Sequence, residues 1–244
     1  WDNGEIDTLL TAQDKFKSAP VIINSSLGET WIIAGSTDHN MYAVDISGNL
    51  KFIYTTQYEI TASPVVVDLN NTTFGIFFGG QDGFLYGINQ DGEDLPNWPI
   101  GIGGQFITSP VISDIDNDGI PEVISGNSLG DLYAFHIDGT PVDYFPIEYI
   151  TGITAPPALT DLDGDNDLEI ITGVTETMSA IDVKTIGVTD DYWSVYRGNL
   201  YRTGTYNSSY TGSCGDPNLG DLNCDGNIDI IDIVNIVNII LELS

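Results

Sequence analysis

Apolar residues along this chain fall in short runs rich in Val, Ile, Tyr and Phe, broken every few positions by Gly, Asp and Asn. Runs of that length between turn residues predict strands joined by tight turns. No stretch before residue 229 has the spacing of an amphipathic helix. The phrase Ser18-Ala19-Pro20-Val21-Ile22 returns as Ser63-Pro64-Val65-Val66, as Ser109-Pro110-Val111-Ile112 and as Ala155-Pro156-Pro157-Ala158. A period of about 45 residues marks a repeat architecture. Each unit goes on to a recurrent Gly (Ala34-Gly35, Phe78-Gly79, Ser125-Gly126, Thr172-Gly173) and then to a run such as Met41-Tyr42-Ala43-Val44 or Leu132-Tyr133-Ala134-Phe135.

Four units are visible. The third divides into strands over 110–113, 122–125, 131–137 and 142–149, with a turn at Asp138-Gly139. Four antiparallel strands per unit make one blade, so the expected fold class is mainly β, a four-bladed β-propeller. The units run over about 17–60, 61–106, 107–152 and 153–202, and residues 1–16 supply a strand that closes the ring on the fourth blade. Excision from a larger propeller of about six to eight blades fits the same pattern. Residues 203–218 read as a linker, and 219–244 as a small terminal loop and helix.

Two stretches within this frame carry chemistry. Asp114, Asp116, Asp118 and Glu122, and again Asp161, Asp163, Asp165 and Glu169, stand at positions 1, 3, 5 and 9 of a loop. Alternating ligand and spacer turns every second side chain inward, which suits a calcium ion taking about six to eight oxygens. Asp221, Asn223, Asp225, Asn227, Asp229 and Asp232 fit the longer version of the loop, with a ligand at position 12. About three calcium ions are therefore expected. They account for part of the charge, since 36 Asp and Glu face 6 Lys and Arg for a net charge of −30. Three ions would bring that only to about −24, so nucleic acid and anionic membranes are poor partners.

At 244 residues and 41% hydrophobic content, the chain can bury one large core plus a small appendage. No run reaches the roughly 20 apolar residues that cross a bilayer, so no membrane insertion is expected. The opening Trp1, without an initiator Met or a leader pattern, reads as a processed product or an excised piece. Cys214 and Cys224 lie close together; a local disulfide and two free thiols are the alternatives. Calcium loops and this cysteine usage point to an extracellular or cell-surface location.

The third and fourth units resemble FG-GAP or VCBS repeats, the calcium-loop blades also found in the propellers of integrin α-subunits. The resemblance implies an ion in the first inter-strand loop of a blade. It adds the backbone carbonyls of Ile120 and Asp167 at position 7 to the ligand sets above. Asn166 stands where the pattern has Gly, and Asn tolerates the left-handed conformation better than most residues. The first two units read Asn24-Ser-Ser26 and Asp68-Leu-Asn70 at this place and are assigned no metal. The stretch from Tyr192 to Gly204 resembles an aromatic and Arg-Gly signature beside propellers in secreted bacterial proteins, and is read as a packed strand and edge cap. Residues 220–243 look like one repeat of a type I dockerin; a dockerin that binds its cohesin partner has two.

On a helix after Asp229, the residues Asp229, Asp232, Asn235, Asn238 and Glu242 make one narrow polar stripe, and the remaining face is apolar. Its β-branched residues lower helicity, so contacts outside the helix must hold it. The burial partner is the chain's own propeller, another copy (giving a homo-oligomer or polymer) or a scaffold protein bound through residues 229–243.

A search for catalytic groups gives little. Gly126-Asn-Ser128-Leu-Gly130 matches a nucleophile elbow, but that motif needs a strand-turn-helix setting and this one lies in a hairpin. His39 and His136 are polar loop-facing positions rather than bases or ligands, and no phosphate-binding loop is present. The expected function is a non-catalytic, calcium-stabilised structural or adhesive subunit assembling through its tail. The alternative is a carbohydrate- or protein-binding accessory domain of a secreted hydrolase, with Trp98, Tyr149 and Trp193 as a platform for an extracellular glycan.

Overall fold

The computed structural model describes residues 8–24, 29–69, 73–189, 192–199 and 202–207. Among them the fold is mainly β, without a helix, and the strands gather into four small sheets in a β-propeller-like arrangement. Sheet one contains β1 (Val21–Asn24), β2 (Thr30–Gly35), β3 (Asn40–Asp45) and β4 (Leu50–Thr55). Sheet two contains β5 (Val65–Asp68), β6 (Phe74–Gly79), β7 (Phe84–Asn89) and β8 (Ile100–Gly101). Sheet three contains β9 (Val111–Ser113), β10 (Glu122–Gly126), β11 (Asp131–His136) and β12 (Ile147–Glu148). Sheet four contains only β13 (Ala158–Thr160), β14 (Asp167–Val174) and β15 (Thr177–Ile186). Within each sheet these strands pair antiparallel in sequence order, as short turns require.

The repeated phrases have structural work. The Ser63 hydroxyl accepts the Ala19 N–H at 2.9 Å, and the Ser109 hydroxyl accepts the Ser63 N–H at 2.9 Å. The Ser-Pro starts of sheets one to three are thereby laced together. The glycine that ends the second strand lets the next unit's lead-in pack against it. A Cβ on Gly35 would run into Ile60, one on Gly79 into Phe106 and one on Gly126 into Ile153. All three partners are fully buried, and each such side chain is worth roughly 1.5–3 kcal/mol of burial. The fourth member of the series breaks the pattern: only Ala155 lies near Gly173, and Phe16, which corresponds to Ile60 and Phe106, is 43% exposed.

Several boundaries depart from expectation. The strand expected over 142–149 shrinks to Ile147–Glu148, because Tyr144 turns the chain with φ 69° and Pro146 has no N–H for a ladder. Sheet four has three strands rather than four among the described residues. The chain after β15 leaves the sheet for the exposed edges of other strands: Asp114 and Val188 bridge, Ile112 donates to the Trp193 carbonyl at 2.9 Å and Leu159 to the Ser194 carbonyl at 2.8 Å. Farther on, β16 (Thr205–Asn207) pairs parallel with β1, and Ile22 donates to the Gly204 carbonyl. The described residues around Val188, Trp193, Ser194 and 204–207 thus cap the first strands of sheets one, three and four, and residues 205–207 belong to the fold rather than to a linker.

The described part of the leading segment also lies elsewhere than expected. Gln13 donates to Asp38, Thr37 to the Lys15 carbonyl, and Phe16 bridges Ser36, so these residues bind sheet one and not sheet four. Trp98 and Trp193, expected as part of a sugar platform, are buried. Trp98 stacks edge-on against Phe77 and Phe135 and donates its indole N–H to the Ile137 carbonyl, joining sheets two and three. The third acidic loop with Asp221 to Asp232, the tail helix and both cysteines lie outside the described residues.

Candidate metal centre

Two loops join the first and second strands of their sheets, 114–121 between β9 and β10 and 161–166 between β13 and β14. Their backbones repeat each other position by position. Position 4 is left-handed in both (Asn117, φ 56°; Gly164, φ 85°), and so is position 6 (Gly119, φ 87°; Asn166, φ 74°). Only Gly and Asn among these residue types enter that region cheaply, which is why the loops carry them.

The side chains then tie the loops in the same way. Asp114 accepts the N–H groups of Asp118 and Gly119 at 3.2 and 3.0 Å. Asp161 accepts those of Gly164 and Asn166 at 2.6 and 3.1 Å. At the far end, Ile115 donates to Glu122 Oε2 at 2.8 Å and Leu162 to Glu169 Oε2 at 2.5 Å. The other oxygen, Oε1 of each glutamate, is buried without a hydrogen-bond partner.

Around those two atoms the carboxylates converge. Ligand atoms of Asp114, Asp116 and Glu122 lie within 4.8 Å of one another, and so do those of Asp163, Asp165, Asp167 and Glu169. Asp118 groups with Glu122 and His136 instead, and Asp161 lies outside its loop's cluster. Burial, and behind it the charges of Asp116, Asp114 and Asp118, push the Glu122 carboxyl up to about 8, against the pull of the Ile115 hydrogen bond. In the second loop Asp165 and Asp167 share a hydrogen bond, which raises Asp167 to about 6 and lowers Asp165. A cation placed among carboxylates this close would favour their ionised forms.

Two participants were not expected from the sequence. His136 Nδ1 sits 2.8 Å from Glu122 Oε1, off the line of a good hydrogen bond. The register sets this contact, since His136 pairs directly with Glu122, as Asp182 does with Glu169. His136 therefore faces the site rather than open solvent. The side chain of Asp167, expected to offer only its carbonyl, joins the second cluster with its carboxylate, and its Oδ1 is buried without a partner. The donor set is oxygen-rich and anionic, which fits a hard divalent cation. Asp114, Asp116, Asp118 and Glu122 would hold one ion with the Ile120 carbonyl, and Asp161, Asp163, Asp165, Asp167 and Glu169 the other. The ion's contribution there is charge neutralisation and cross-linking of two strands.

Ser128, the formal nucleophile match, exchanges backbone and side-chain hydrogen bonds with Gln105 in the turn between β10 and β11, as its hairpin position implied. No helix among the described residues is long and apolar enough to cross a membrane.

Comparison with known proteins agrees with this picture. Residues 114–172, which include both loops, match the model of the FG-GAP-like repeat. Among solved structures, the chain is similar to BBS1N in its complex with ARL6DN (TM-score 0.50, 15% identity, covering 73% of this chain and 51% of that one). It is also similar to the computationally designed Ika4 protein (0.49, 18%, 72% and 95%) and to BamB from Moraxella catarrhalis (0.49, 14%, 71% and 48%). The chain spans about half the length of BBS1N and of BamB. A search of curated proteins gave no match. Residues 114–172 are thus similar to an FG-GAP-like repeat, in a chain whose mainly β fold resembles propeller-like solved structures.

Proposed function

We propose that the chain is a calcium-stabilised, non-catalytic structural or adhesive module of the extracellular space, built as a four-bladed propeller. The observation that carries this reading is the matched pair of glutamates: each has one oxygen bound to backbone and the other buried beside further carboxylates without a well-aligned hydrogen bond, the one on Glu122 also having the His136 ring nitrogen 2.8 Å away. An unpaired buried acceptor of this kind costs about 1–3 kcal/mol, and more when charged, so a bound cation offsets a penalty the fold otherwise carries twice. The sequence of residues 219–244, outside the described ones, fits a third, dockerin-like calcium loop and a terminal helix, through whose apolar face the module would dock on another copy or on a scaffold protein.

Calcium titration of the full chain by calorimetry and native mass spectrometry tests the reading. About three ions should bind, and chelator should lower the melting temperature. Absence of calcium binding at millimolar concentration, with the same melting curve in chelator, removes it. The accessory-domain alternative loses the platform that Trp98 and Trp193 would have formed, since both are buried.

A further inference from the structure

At the opposite ends of β9 and β13 from the acidic loops, the starts of the strands surround a cavity of about 570 Å³. Thr61, Ser63, Thr108, Ser109 and Thr154 line it, the Ser63, Ser109 and Thr108 hydroxyls being already bonded to backbone, and Tyr196 and Asn199 come from the segment that caps the first strands. Its rim carries Lys17 and Arg202. The chain has only 6 Lys and Arg against 36 Asp and Glu, yet two of the six line this one cavity and no carboxylate does so among the described residues. A random patch of so acidic a surface would show the reverse.

Arg202 is held in place by its neighbours. The Arg197 guanidinium donates to the carbonyls of Arg202 at 2.9 Å and Thr203 at 3.2 Å, which fixes the backbone turn, while the Arg202 side chain stays exposed. Lys17 has one weak tie, Glu59 at 3.4 Å, with both side chains substantially exposed. Exposed pairs of this kind are worth at most about 1 kcal/mol, so Lys17 can turn to a ligand at little cost.

We propose that this cavity binds a carboxylate-bearing sugar residue, a uronate. A guanidinium and an ammonium at the rim match the planar carboxylate. Thr61 and the exposed Thr154 are the lining hydroxyl residues left to meet the sugar's hydroxyls, Tyr196 adds an aromatic ring to the lining, and the volume suits one or two sugar units. Because the rest of the surface is strongly negative, the ligand is a single acidic unit on an otherwise neutral glycan rather than a polyanion. The proposal does not rest on calcium binding, since the cavity contains none of the loop carboxylates.

Saturation-transfer NMR and calorimetry on the full chain, with D-glucuronate, D-glucose and acetate as probes at low salt, test it. D-glucuronate should bind about tenfold more tightly than either D-glucose or acetate, and lose affinity as salt is raised. Arg202→Gln and Lys17→Gln should each weaken it about fivefold without changing the melting temperature. Arg202→Gln leaves the backbone carbonyl that Arg197 uses, and Lys17→Gln provides an independent reading at a second site. No glucuronate binding at 20 mM (about the upper limit of a weak site), equal binding of D-glucose, equal binding of acetate, or unaltered affinity in both variants would each overturn the proposal.

Discussion

The two acidic loops share spacing, left-handed positions and hydrogen bonds, yet they sit in different surroundings. In the loop at 114–122, Asp114 and Glu122 are buried, and the chain returning at Val188 bonds to the Asp114 backbone from outside. In the loop at 161–169, Asp161, Asp163 and Asp165 are exposed, and of the acidic residues Glu169 alone is buried. Water can solvate most of the second cluster when no ion is present; in the first it reaches Asp118 and Asp116 but not Asp114 and Glu122. The same motif therefore has a different energetic weight in each sheet, set by what packs over it rather than by its ligands.

The sharpest way to break that comparison is Glu122→Gln, which keeps the shape and an acceptor for the Ile115 N–H but removes the charge. Breaking one partner of a buried ionic group costs about 3–5 kcal/mol. In calcium this variant should melt about 10 °C lower, using roughly 2–4 °C per kcal/mol for a chain of this size. It should also bind one ion fewer. A melting temperature within about 2 °C of the parent, a shift worth less than roughly 1 kcal/mol, would show that the first loop is not held by a cation.

A pH series sharpens the same point. With calcium chelated, Glu122 holds its proton up to about 8 in the folded chain, well above its ordinary value of 4.5. Protonation then favours folding below about 4.5, and this contribution is lost as pH rises toward 8. The chelated protein should become less stable across that window, whereas the calcium-bound protein, with the carboxylate ionised throughout, should change little. The gap between the two melting temperatures widens from pH 5 to pH 8. In Glu122→Gln the widening above pH 6 should disappear; if it persists unchanged, another group is responsible.

Much of this centre was legible in the sequence because a loop's ligands lie within nine residues of one another, and spacing alone decides which side chains face inward. Asn166 is an instance: its place at position 6 implied a left-handed backbone, and φ is 74°. Contacts that depend on register between strands were not legible. His136 reaches Glu122 only because β11 pairs with β10 in one particular alignment, and nothing local marks it. That sheet four has three strands among the described residues is similar. Residues 188–207 have the composition of strand and turn, but the unpaired edges of β1, β9 and β13 compete for them, and those edges are far away in sequence. Trp98 and Trp193 read as surface platforms for the same reason: burial against another sheet is a tertiary fact.

The smallest expected effect compares position 3 of the two loops. Asp116 shares its cluster with the buried Asp114 and Glu122, and Asp163 is exposed beside Asp165 and Asp167. Each change to Ala removes one ligand without touching the buried glutamate. Asp116→Ala should lower the melting temperature in calcium by about 5 °C and Asp163→Ala by about 2 °C, the second because solvent and three remaining carboxylates compensate for an exposed ligand. Both should shrink the effect of chelator, and Asp116→Ala should shrink it more. If the exposed position proves the costlier of the two, burial is not what sets the weight of these loops, and the difference must lie in how tightly each one binds its ion.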